Sequence, residues 1–87
     1  MRGQQQRAAV CRRLCELALM EQGRGTQLMI ELAWASWFGQ RGPDPDTLFE
    51  HLTPMGRKAT LMLSLAVLDG PESIDCWLQE TAFLVKE

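Results

Sequence analysis

Four side chains in this 87-residue sequence could hold a metal or pair as nucleophile and base: Cys11, Cys15, Cys76 and His51. Together they offer the thiolate and imidazole donors of tetrahedral zinc sites, but their spacing matches no standard finger. Small core thiols are the competing reading, and it requires no metal. The cysteine count is odd. Cys11 and Cys15 sit one helical turn apart, a separation poorly suited to a disulfide. Free thiols in a reducing cytoplasm are therefore expected. His51, the single imidazole, would have to serve any Cys–His or Ser–His pair. It stands beside Leu52 in a short amphipathic segment. Asp44 and Asp46 lie beside prolines, where helix capping accounts for them. Gly23-Arg24-Gly25 lacks the strand and the Lys-Ser/Thr of a phosphate-binding loop, and no Gly-x-Ser-x-Gly occurs. The expectation is a chain with no catalytic residues, no metal and no cofactor.

These residues must be carried by helices, because no segment alternates apolar and polar residues for long. Residues 5–22 place Ala8, Cys11, Leu14, Cys15 and Ala18 at helical spacing, and Gly23-Arg24-Gly25 is expected to stop that helix. Thr26 can cap a second helix running to about Gln40. After Gly42-Pro43, Asp44 or Asp46 can cap a short third helix with Pro45 in its first turn. Thr47-Leu48-Phe49-Glu50 also fits a capping box. Thr53-Pro54 opens a fourth helix to about Leu68. After Asp69-Gly70-Pro71 a fifth begins, with Glu72 placed to suit its dipole.

Composition excludes several classes. The chain is 46% hydrophobic and carries a net charge of −2, which argues against a disordered segment and against a general nucleic-acid binder. No apolar run reaches the ~20 residues of a membrane helix, and no apolar stretch follows the polar Met1–Arg7, so no secretory signal is expected. Charge is uneven: residues 1–25 carry five arginines against Glu16 and Glu21, and the remainder is acidic. The basic first helix suits either packing within the chain or docking to an acidic partner.

Gly42-Pro43-Asp44 recurs as Gly70-Pro71-Glu72, and Leu48-Phe49 as Cys76-Trp77, at an offset of 28 residues. The predicted fold is all-α with five helices: an N-terminal helix plus two tetratricopeptide-like helix hairpins. It forms one domain, with residues 1–25, 26–53 and 54–87 as its parts. An unrelated bundle with Gly-Pro turns is the other reading. The two long central helices stand out. Nine of the eleven residues Leu28–Phe38 and seven of the eight residues Leu61–Leu68 are apolar. A surface helix of a small domain normally shows one apolar stripe. So short a chain has little left to cover two such helices, and another chain is expected to do so.

The stretch from about Met29 to Glu80 resembles the larger subunit of the two-component needle-subunit chaperones of bacterial type III secretion systems. The likeness lies in Ile30-Glu31-Leu32-Ala33, in Leu48-Phe49-Glu50-His51-Leu52, and in Arg57 to Gly70 followed by Trp77-Leu78. It implies a cytoplasmic chaperone that binds the needle subunit and prevents its premature polymerisation, acting with a small helical co-chaperone. It also implies a partner groove formed by the first helix of each pair, for which Met29, Leu32, Trp34, Trp37, Phe38, Leu61, Leu65 and Leu68 are the candidates. Such a surface suits an amphipathic helix, although plain core packing competes for each residue. The co-chaperone would meet the N-terminal helix at Cys11, Leu14, Cys15 and Ala18. The alternative is a homodimeric helical inhibitor or anti-activator from a phage or mobile element, burying the same helices against symmetry mates. A helix-turn-helix DNA binder has only Arg12–Arg13 and Arg57–Lys58 in its favour.

Overall fold

Glycine and proline mark the boundaries of the helices after the first. The computed structural model describes residues 2–85; Met1, Lys86 and Glu87 lie outside that range. All regular structure among the described residues is helical: α1 (Arg2–Ala18), α2 (Arg24–Phe38), α3 (Pro45–His51), α4 (Pro54–Asp69) and α5 (Pro71–Val85). The all-α, five-helix expectation therefore holds.

Several boundaries differ from expectation. α1 ends at Ala18, four residues before the expected stop, and leads into a turn in which Met20 and Glu21 donate to the Leu17 and Ala18 carbonyls. Gly23, with φ 55° and ψ −127°, is then the N-cap of α2 and not the C-cap of α1. It turns the chain early enough for α2 to start at Arg24, so Thr26 lies within the helix and caps nothing. At its other end α2 stops at Phe38, with Gly39 in the left-handed conformation. α3 begins at Pro45. Thr47 and Glu50 are thus already helical and form no capping box, and Asp44 is the N-cap without a side-chain bond. Thr53 caps α4 as expected: its hydroxyl oxygen accepts from the Gly56 amide at 3.2 Å.

α1 runs through the middle of the fold, packed on α2 and on α5. α5 in turn packs on α4, and α3 on α2. Leu14, Leu17 and Ala18 of α1 are fully buried, together with Leu28 and Met29 of α2. Two polar links fix α5 to α1. The Gln6 amide donates to the Pro71 carbonyl and to Asp75, both at 2.8 Å. Arg13 donates to the Leu78 carbonyl and to the Thr81 hydroxyl. Low residue numbers of α1 meet low numbers of α5, so the two helices run in the same direction. Trp77 joins α5 to α4: it is 1% exposed, and its indole N–H donates to the Ala59 carbonyl at 2.9 Å. A buried tryptophan is well placed only where its N–H finds such a partner.

Four helix termini meet at one carboxylate. Glu21, 6% exposed, accepts from the Thr53 amide at 2.8 Å and from the Thr53 hydroxyl at 2.7 Å. The segment after α1 is thereby tied to the start of α4. Two glycines let the chains close on it. A methyl group at Gly25 would lie 2.6 Å from the His51 carbonyl oxygen, and one at Gly56 would overlap the Glu21 carboxylate itself.

This contact yields a sign test. Gly56→Ala should lower the unfolding free energy by about 1–3 kcal/mol through overpacking, and Glu21→Ala by about 2–3 kcal/mol through loss of bonds to a charged acceptor. Once Glu21 is truncated, an alanine at 56 has room and gains about 0.5–1 kcal/mol over glycine within a helix. The second substitution should therefore stabilise the Glu21→Ala protein. Urea unfolding of the four proteins measures this, and additive losses would contradict the contact.

Candidate functional site: an apolar cleft between α2 and α4

The second halves of α2 and α4 do not close on each other. Between them lies a cleft of about 720 Å³, with α3 and the loop after α2 at its end. Leu32 and Ala35 of α2 face Leu61, Leu63, Val67 and Leu68 of α4 across it, and Leu48 and Phe49 of α3 complete the wall. Small residues keep it open: Ser36, Gly39, Gly42 and Ser64 all line it. Gly42 folds back so closely that a methyl group there would be 3.0 Å from Leu32 Cδ1. No ionisable side chain lines the cleft. The hydroxyls of Thr60 and Ser64 donate to the carbonyls of Gly56 and Thr60, at 3.0 and 3.1 Å. The cleft can therefore take up apolar surface, but from these two residues it offers a ligand no unused hydroxyl proton.

The expected groove residues separate. Leu32, Leu61 and Leu68 line the cleft. Leu65 does not line it: it is exposed on the outer face of α4, at the edge nearer α5, where it borders a shallow hollow with Met62, Cys76 and Trp77. Met29 is fully buried in the core and presents no surface to a partner. Trp34, Trp37 and Phe38 do not line the cleft. The 3.6-residue period puts them, with Ile30, on the opposite side of α2. All four are exposed there, Phe38 to 61%, and the Trp34 and Phe38 rings stack at 5.8 Å between centroids. The sequence points to these aromatics for the anchoring area they supply; helical phase turns them away from the cleft. The cleft residues that sequence reasoning missed, Ala35, Ser36, Gly39 and Gly42, carry a readable signal in their run of small side chains at the end of an apolar helix.

The expected co-chaperone contacts also separate. Leu14 and Ala18 are fully buried because α1 is the centre of the fold, so they cannot meet another chain. Cys11 and Cys15 are half-buried against the core. Cys76 is exposed on α5. His51 is exposed, with the Glu50 carboxylate at 3.7 Å. Among the described residues no three His, Cys, Asp or Glu side chains come together as a metal-binding group, and no helix is long and apolar enough to cross a membrane. Arg13 follows the intramolecular reading of the basic helix, through its bonds to α5 and a 3.0 Å pair with Glu16.

The surface as a whole is larger than the chain's mass requires. It measures 5967 Å². A compact monomer of 9.8 kDa exposes about 5,200 Å². No protein-family model matches the chain, and no curated protein or solved structure matches it.

Thiol chemistry reports on this arrangement. Burial raises the Cys11 pKa, and the neighbouring Cys15 raises it further through its charge and a hydrogen bond. Since the thiolate is the reactive form, Cys11 should react slowly with a chromogenic disulfide at mildly alkaline pH, and exposed Cys76 first. Cys76→Ser should remove the fast phase. A fast phase that persists in that variant would place Cys11 or Cys15 at the surface.

Proposed function

We propose that this chain is a non-enzymatic protein-binding module of the cytoplasm that holds an amphipathic helix of a partner protein in the α2–α4 cleft. The observation that carries the reading is the cleft's chemistry. Its wall is mostly apolar and free of charge, small residues let a second helix approach closely, and its polar side chains are the Thr60 and Ser64 hydroxyls, committed to the chain's own backbone, with half-buried Ser36 and exposed Gln40. Pockets for small polar ligands orient them with a few free donors and acceptors. A helix presenting Leu-sized side chains at i, i+3 and i+4 requires none of these. In the narrower form suggested by the sequence resemblance, the bound helix belongs to a type III secretion needle subunit, and the module is the chaperone that keeps it from polymerising. The nucleic-acid reading gains no support, since the cleft bears no cation.

The test is co-expression with the needle subunit encoded in the same genome, followed by co-purification. Ser36→Trp fills the cleft from its half-buried edge and should reduce the retained partner at least thirtyfold, a loss of about 2 kcal/mol, with the helical circular dichroism unchanged. Phe38→Asp, on the far side of α2, should leave the complex intact. Binding that survives Ser36→Trp and is lost in Phe38→Asp would move the site to the outer aromatic face.

A further inference from the structure

We infer that the outer face of α4 is an interface between two copies of this chain, paired antiparallel about a two-fold axis beside Leu65. Leu61, Leu65 and Leu68 form one exposed stripe on α4, turned away from the core, and Leu68 is 86% exposed. The spacing of four and three residues is the seam spacing of paired helices. The stripe is self-complementary. Leu61 and Leu68 lie equally far from its midpoint between Ser64 and Leu65, so a two-fold axis there sets each Leu61 against Leu68 of the second copy and places the two Leu65 side chains together.

Charge selects the occupant. Lys58 and Asp69 are both exposed and stand eleven residues apart, three helical turns to within about 20°, so they share one flank of the stripe. On this flank, which is the one toward α5 and Glu80, a helix covering the stripe is matched when it is acidic near Lys58 and basic near Asp69; exposed Arg57 stands on the other flank. An antiparallel α4 meets that requirement: the two-fold axis brings like flanks together with their ends exchanged, so each Lys58 faces Asp69 of the other copy. The opposed helix dipoles favour the same direction. Asp69 already accepts from Ser73, and a carboxylate retains further acceptor capacity. This pairing does not depend on the cleft reading. Because Leu61 and Leu68 also border the cleft, the second copy and a cleft-bound helix would compete for α4.

Light scattering on the purified chain should give twice the 9.8 kDa mass, falling to the single mass in Leu65→Glu with the helical signal unchanged. Lys58→Asp sets like charges against each other and should weaken the dimer about tenfold. Adding Asp69→Lys to it should restore the affinity. Register is read by cross-linking in a Cys76→Ser background. Leu65→Cys should link copy to copy on air oxidation, whereas Leu61→Cys and Leu68→Cys should link only when the two proteins are mixed. Ser36→Trp, which blocks the cleft, should leave the dimer intact; its loss in that variant would put the interface in the cleft and overturn the proposal. A monomer at every concentration, or a dimer indifferent to both Leu65→Glu and Lys58→Asp, would overturn it as well.

Discussion

The Glu21 carboxylate is the point on which the placement of α4 depends. It stands just past the end of α1, accepts two hydrogen bonds from Thr53, and so serves as an outer cap on the start of α4. The first turn of α2 and the last carbonyl of α3 press in at Gly25, and the first turn of α4 at Gly56. The start of α2, the end of α3 and the start of α4 are thus gathered around one buried acid. A buried charge is tolerated only with such partners, and removing either side leaves the other unsatisfied. Because α2 and α4 are fixed near this end, their second halves are free to diverge, and the cleft lies between those halves.

The second constraint is material. α1 contributes Leu14, Leu17 and Ala18 to the centre of the fold. Its position between α2 and α5 covers one side of each and leaves the outer faces of α2 and α4 without a layer. A larger domain would supply that layer from its own chain. Here Ile30, Trp34 and Phe38 on one helix, and Leu61, Leu65 and Leu68 on the other, remain in water. The apolar excess that the sequence displays is therefore a surface property of the folded chain. Both the cleft and the α4 stripe follow from it.

Much of the architecture was legible because the breaks are chemical. Gly70-Pro71 and Thr53-Pro54 end or begin helices by restricting backbone angles and removing donors, and α4 and α5 begin where these pairs predict. Gly23 was harder to read: a glycine between two helices can close the first or open the second, and only the turn formed by residues 19–22 decides it. Of the eight groove candidates, Leu32, Leu61 and Leu68 line the cleft; Met29, Leu65 and the three aromatics do not, because all-round apolarity hides the phase of a helix and residue size is no guide to the direction of a side chain. Glu21 carried a signal that went unread. It falls on the stripe of Leu14 and Leu17, and an acid on an apolar stripe asks for a partner.

The direct measurement is amide hydrogen exchange at Thr53. An amide at a helix N-cap ordinarily faces water and exchanges quickly, whereas this one donates to a buried carboxylate. If Glu21 gathers the helix ends, the Thr53 amide exchanges slowly in the native protein, near the rate of the core of α4, and becomes fast in Glu21→Ala while Trp77 remains buried. Exchange of Thr53 at the rate of an unstructured peptide in the unaltered protein would contradict the account.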